Sequence, residues 1–126
     1  MRLLLDTSVL VDHLRADERA VELVLAANRR SDELWGTVLT RTEILRGVRA
    51  GEARATRRLL EALVWHEVTV EIADRAGDLA RRYRRSHPGV DIVDFVIAAS
   101  AESLDANLVT RNTRHFPMLP NLAPPY

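Results

Sequence analysis

Lysine is missing: all 18 basic side chains of this 126-residue chain are arginine. Chemistry that needs a lysine amine is therefore excluded, including a Walker-type phosphate loop, a Schiff base and the signalling lysine of a receiver domain. Cysteine is missing too, which removes disulfides, thiolate nucleophiles and cysteine-ligated zinc. The five glycines form no G-x-G-x-x-G, so no dinucleotide fingerprint is present. The apolar run Leu3-Leu4-Leu5 stops at Asp6, and no stretch approaches the ~20 apolar residues of a membrane span, so the expected location is the cytoplasm. Net charge is also absent, since 18 acidic residues balance the arginines. That balance argues against a generally basic nucleic-acid coat but leaves room for a local site. The arginine-only usage has two readings, a GC-rich genome or selection for phosphate contacts.

What is present suffices for a core. Apolar residues make up 47% of the chain and charged ones 29%, a balance expected of one soluble globular domain spanning 1–126. Leu3-Leu4-Leu5 ends at Asp6-Thr7-Ser8, a cluster of capping residues, and so reads as a buried strand followed at once by a helix through Val9, Leu10 and Leu14. A second helix is expected from Glu18 to Ala27, with Val21, Val24 and Leu25 on one face and Arg29-Arg30 in its last turn. Leu34 to Val38 reads as a strand. Thr40-Arg41-Thr42-Glu43 then opens a helix that carries Ile44, Leu45 and Val48 and stops near Gly51.

A further helix over Ala53–Leu63 leads into β-favouring residues 64–70, and another runs from Ile72 to about Tyr83, ended by Ser86-His87-Pro88-Gly89. Asp91 to Leu104 is apolar on nearly every side and is expected to be a central buried helix. Leu108-Val109 is a short strand ending at Thr110-Arg111-Asn112. Four of the five prolines lie in 117–126, an irregular tail that packs on the surface. Strands alternate with helices and no tight hairpin signal joins them. The expected fold is therefore a three-layer α/β/α arrangement around a parallel sheet.

In an open parallel sheet, ligands bind beyond the carboxyl ends of the strands, where the strand order reverses. Asp6, Glu43 and Thr110-Arg111-Asn112 all follow strands, and Asp91 with Asp94 begins the buried helix at i, i+3 spacing. Each acid has a local alternative. Asp6 can cap a helix, Glu43 can complete a Thr-x-x-Glu capping box with Thr40, and Asp91 with Asp94 can serve the helix dipole. Taken together, carboxylates at one end of a sheet repel one another unless a cation sits among them. A hard divalent ion such as Mg²⁺ or Mn²⁺ suits oxygen ligands, and such a site fits metal-assisted phosphodiester hydrolysis. The histidines, His13, His66, His87 and His115, show no zinc-hydrolase spacing and read as surface or packing residues.

Four segments then carry a family resemblance. Leu4-Leu5-Asp6-Thr7-Ser8-Val9-Leu10, Thr42-Glu43-Ile44-Leu45-Arg46-Gly47-Val48, Asp94-Phe95-Val96-Ile97-Ala98-Ala99, and residues 108–116 from Leu108 to Phe116 resemble the successive motifs of PIN-domain ribonucleases. They most resemble the VapC toxins of bacterial VapBC toxin–antitoxin systems, in order and over nearly the whole chain. The resemblance implies a PIN-like fold and an endoribonuclease dependent on Mg²⁺ or Mn²⁺. It also implies inhibition by a cognate VapB-type antitoxin, with a basic antitoxin side chain lying in the acidic cleft, and usually a homodimer. Asp6 and Asp94 match the family's metal-binding aspartates, and Glu43 the glutamate that completes the acidic cluster. Asn112 matches a position that is aspartate in many relatives, so one negative charge is removed. His115 stands where many relatives have an acid, and Asp91 is an additional acid one turn before Asp94, either a supplement to the site or a cap.

Arg41, Arg46 and Arg111 lie in or beside the motifs, as contacts for RNA phosphates or as solvated side chains. Trp35 and Trp65 suit either a core or an interface. The alternatives to a toxin are a PIN nuclease in RNA processing and a catalytically silent PIN-like binding module. A silent module has no reason to keep mutually repelling acids. The neutral total also hides blocks: residues 41–58 sum to +4, 59–74 to −4, 75–87 to +4 and 88–110 to −4. An acidic pocket rimmed by arginines is consistent with that pattern.

Overall fold

The computed structural model describes all 126 residues. Its strands are β1 (Arg2–Leu5), β2 (Glu33–Thr37), β3 (Val64–His66) and β4 (Asn107–Val109). The helices are α1 (Thr7–Leu14), α2 (Glu18–Arg29), α3 (Val38–Arg46), α4 (Ala53–Ala62), α5 (Val70–Tyr83) and α6 (Ile92–Leu104), and a 3-10 turn covers Thr113–His115. Every strand pairing is parallel and the order is β3-β2-β1-β4. Parallel neighbours need crossover connections, which the helices supply. No helix is long and apolar enough to cross a membrane.

The alternation of side chains along β1 divides the core into two layers. Leu3 and Leu5 pack with Leu10, Ala27, Ile44 and Leu59 on the α1–α4 side. Leu4 packs with Leu79, Phe95, Ala98 and Phe116 on the α5–α6 side. The arrangement is the expected α/β/α sandwich, and α6 is the expected buried helix apart from Ile92 in its first turn and Glu102 and Ser103 in its last. The 117–126 tail is irregular, and its Met118 is buried in the α5–α6 layer.

Local chemistry moved several boundaries. The third helix begins at Val38 rather than Thr40, because the Thr37 hydroxyl accepts the Thr40 N–H at 3.2 Å and caps it. The Thr40–Glu43 capping box is thus not formed. The same helix stops at Arg46, with Gly47 as its cap; Gly51 instead occupies the turn before α4 with φ +83°, a conformation that favours glycine. The Thr69 hydroxyl accepts the Ile72 N–H at 3.2 Å, so α5 starts at Val70 and only Val64–His66 remain strand. In α2, Ala20 and Ala27 are buried and Leu25 is exposed; the small residues, not the expected Leu25, face the core. Both tryptophans pack against core layers, with the Trp65 Nε1–H donating to the Leu60 carbonyl at 2.8 Å. Gly36 is necessary beside Trp65, because a Cβ there would lie 2.7 Å from the indole ring.

His13, beside an apolar hollow of about 310 Å³ between α1, α2 and α4, has an Nδ1 without a hydrogen-bond partner. Burial lowers its pKa below the usual 6.5, and burial lowers that of His66 likewise, against the weaker pull of Glu67. Below pH 6.5 the unfolded imidazoles take up protons that the folded ones refuse, so stability falls as pH drops through that window. The expected result is a lower urea midpoint at pH 5.5 than at pH 7.5, with a shallower pH dependence in His13→Gln. An equal slope in that variant would remove His13 from this account.

Candidate active site

The strand order places β1 between β2 and β4, so the chain leaves β1 at the point where the order reverses. A cleft of about 500 Å³ lies at this end of the sheet, lined by Asp6, Glu43, Asp91, Asp94, Asn112 and His115 among others. A crevice at a reversal beyond the carboxyl ends of parallel strands is the usual ligand site of this architecture.

Asp6 comes from the first residue after β1. It stands at the N-cap position of α1, but its carboxylate makes no capping bond. Instead its Oδ2 accepts a hydrogen bond from the buried Thr110 hydroxyl at 2.7 Å, while its backbone N–H donates to the Val109 carbonyl at 3.0 Å. The residue is only 6% exposed, and Oδ1 has no protein partner. Glu43 projects from α3 rather than from a first turn, and its Oε1 accepts the Thr7 hydroxyl at 2.9 Å, leaving Oε2 without a protein partner.

Asp94 reaches the cleft from the first turn of α6. Its Oδ2 accepts the Asp91 backbone N–H at 3.2 Å and lies 3.3 Å from His115 Nδ1; Oδ1 has no protein partner. Burial pushes the Asp94 carboxyl above its ordinary pKa, and the charges of Asp6 and Asp91 push the same way, against the Asp91 N–H and His115. Asp91 does cap the helix: its Oδ1 accepts the Ile92 N–H at 2.6 Å, and with Asp94 it forms a capping box. It also lines the cleft. Asn112 donates its backbone N–H to Thr110 Oγ1 at 3.0 Å and presents its side chain at the cleft wall.

Of the arginines singled out from sequence, Arg111 lines the cleft and pairs with Asp12 at 2.9 Å. Arg41 lies over the Trp65 ring at 5.1 Å and Arg46 is exposed; neither borders the cleft. Sequence reasoning read Thr7 and Ser8 only as capping residues, named Thr110 only as following the last strand without a role, and treated His115 as surface or packing although it borders the site. Their signal was position alone, immediately beside Asp6 and after β4.

The donor set is oxygen-rich and free of sulfur, which suits a hard divalent cation. Asp6, Glu43 and Asp94 each give one oxygen to the protein and keep another without a protein partner. No three carboxylate or histidine side chains converge closely enough to form a finished cage. Mg²⁺ commonly binds through one or two carboxylates and keeps several waters, so a complete protein cage is not required. The residues fit such an ion.

The class of the protein is a parallel α/β sandwich with an acidic cleft at its switch point, and the sequence comparisons name the family. The model of the PIN domain matches residues 3–120, and the chain belongs to the PIN-domain family. Ribonuclease VapC19 of Mycobacterium tuberculosis is 48% identical over 123 residues, covering 98% of each chain. Ribonuclease VapC10 of the same organism is 40% identical over 124 residues, covering 98% of this chain and 92% of the relative. Among solved structures, a toxin–antitoxin complex from Klebsiella pneumoniae superposes with a TM-score of 0.80 at 24% identity, covering 98% of both chains. VapBC2 from Rickettsia felis, bound to a promoter DNA fragment, gives 0.78 at 19% identity, covering 97% of this chain and 96% of that one. Both structures share the fold.

Proposed function

We propose that this protein is the toxin of a VapBC-type pair, a metal-dependent endoribonuclease that hydrolyses RNA phosphodiester bonds. The observation that carries the reading is the set of three carboxylates, from β1's end, α3 and α6, that line one cleft with an oxygen to spare on each. The ribonuclease names of the relatives at 48% and 40% identity support the substrate class.

Asp6 and Asp94 would hold Mg²⁺ or Mn²⁺, with Glu43 completing the set through a water. When bound, the ion supplies a hard Lewis acid that makes a nearby water more acidic and offsets charge developing at phosphorus. The protein supplies preorganisation. Thr110 fixes the Asp6 carboxylate and Thr7 fixes that of Glu43, so neither must reorient during reaction. Glu43 Oε2 is free to accept a water proton, which orients that water. Asn112 adds an amide oxygen without a further negative charge, easing the approach of an anionic strand. Arg111 offers the cleft a guanidinium for a phosphate oxygen.

The same reading includes a cytoplasmic site of action, a cognate antitoxin that lays a basic side chain among these acids, and a homodimer. Co-purification of the antitoxin and light scattering test the last two. The central test is cleavage of a single-stranded or looped RNA by the purified protein. Cleavage is expected with Mg²⁺ or Mn²⁺ and none with excess EDTA, and expression without antitoxin should arrest growth. Cleavage that persists in EDTA would overturn the metal dependence, and no cleavage with either metal would overturn the nuclease. Sequencing RNA 5′ ends after brief expression identifies the target.

A further inference from the structure

The acid of the cleft that the site does not use is Asp12. It lies on α1, one turn after Ser8, and its side chain is 17% exposed. Its Oδ2 accepts two hydrogen bonds, from Arg111 Nη1 at 2.9 Å and from the Tyr126 hydroxyl at 2.6 Å. The Tyr126 ring is held in turn, with the Arg19 guanidinium 4.9 Å above it and Arg19 itself paired to Asp17 at 2.9 Å. Arg111 is tied at its backbone as well, where its N–H donates to Ser8 Oγ at 3.2 Å. The tail thus returns across α1 and α2 and ends in a contact with the side chain that orients Arg111.

This network solves a physical problem at the site. Arg111 precedes Asn112, in a cleft where Asp6, Glu43 and Asp94 each present an unpartnered oxygen. A guanidinium free to move would be attracted onto them and would occupy the place of a cation. Asp12 supplies a competing carboxylate to the side, and two donors converging on one of its oxygens fix that carboxylate's orientation. Only one nitrogen of Arg111 is spent on Asp12; the remaining guanidinium donors can meet a phosphate in fork geometry.

We propose that Asp12 and Tyr126 are positioning residues that hold Arg111 at the rim of the acidic cleft as a clamp for an RNA phosphate. The proposal rests on the nuclease reading above. It adds the means by which substrate affinity, rather than the hydrolytic step, is set from the far end of the chain. Burial and the neighbouring Asp12 raise the Tyr126 pKa, which keeps its hydroxyl a donor throughout the working range of pH.

The test is steady-state cleavage of a synthetic stem–loop RNA with Mn²⁺ by the full chain and four variants. Tyr126→Phe, which keeps the ring over Arg19, should raise KM about fivefold with kcat within about twofold of wild type. Asp12→Asn should show the same pattern, guarding against a tail-specific defect. Arg111→Ala should raise KM roughly tenfold, and adding Tyr126→Phe to it should raise KM no further, because the tyrosine acts through the arginine. A merely structural tail would instead give the same factor in both backgrounds. Unchanged KM in Tyr126→Phe, or full additivity with Arg111→Ala, overturns the clamp while leaving the nuclease standing. No cleavage by the wild type overturns the nuclease reading and the clamp with it.

Discussion

Asp6→Asn and Asp94→Asn, made singly, are expected to lower kcat for RNA cleavage by roughly a thousandfold or more, since each removes charge from the position that the proposed cation would occupy. The fold should survive. In Asp6→Asn the amide that replaces the carboxylate keeps an oxygen to accept the Thr110 hydroxyl, whose bond to Asp6 is 2.7 Å, and replacing a carboxylate that is 6% exposed removes a desolvation penalty. The melting temperature without metal should therefore stay level or rise. With Mn²⁺ the wild type should gain stability by ligand linkage and Asp6→Asn should not, which separates loss of metal binding from loss of a chemical step. Cleavage within tenfold of wild type in both variants would sink the assignment of these aspartates.

Phe116→Ala is expected to have the largest effect on stability. Phe116 is 1% exposed and packs in the α5–α6 layer with Leu4 and Phe95. Truncating a buried phenylalanine costs about 3–5 kcal/mol, a large share of the ~5–15 kcal/mol that holds a domain together. The residue also anchors the segment that carries Thr110 to His115: its N–H donates to the Thr113 carbonyl at 3.1 Å and closes the 3-10 turn. Urea denaturation should show a midpoint well below that of the wild type, and cleavage should weaken at temperatures where most of the variant is still folded. A loss under ~1 kcal/mol would mean that the surrounding side chains collapse into the vacancy and that the anchor lies elsewhere.

The parallel α/β architecture was legible because its signals are local and repeated. Short apolar runs end at capping residues, helical periods follow, and no hairpin turn intervenes. Asp6 and Asp94 were legible for the same reason, each at a junction between an apolar run and a helix. Glu43 was expected in the first turn of its helix, with a capping box to Thr40 as the local alternative, and the structure shows neither. Thr40 and Glu43 have the spacing of a capping box, but Thr37 stands three residues before Thr40 and captured the cap, which put Glu43 inside the helix and freed it for the cleft. Two threonines with equal capping ability at successive turns cannot be ranked without the strand that fixes where the helix begins.

The rest depended on contacts distant in sequence. Thr110 meets Asp6 across 104 positions, and Tyr126 meets Asp12 across 114. No periodicity encodes either pair. His115 looked like an ordinary surface residue because its partner, Asp94, lies on another element. The arginines divide on the same principle. Arg111 turns into the cleft because β4 is adjacent to β1, whereas Arg41 sits on Trp65 because β3 is adjacent to β2.

The pairing of the first strand with the last has a consequence in time. Asp6 directly follows β1, yet the carbonyl that receives its N–H and the hydroxyl that holds its carboxylate belong to Val109 and Thr110, made about a hundred residues later. A chain emerging from the ribosome before β4 has been made holds no assembled cleft. Long-range parallel pairing is the slow part of folding, so the cleft is completed only when β4 docks beside β1.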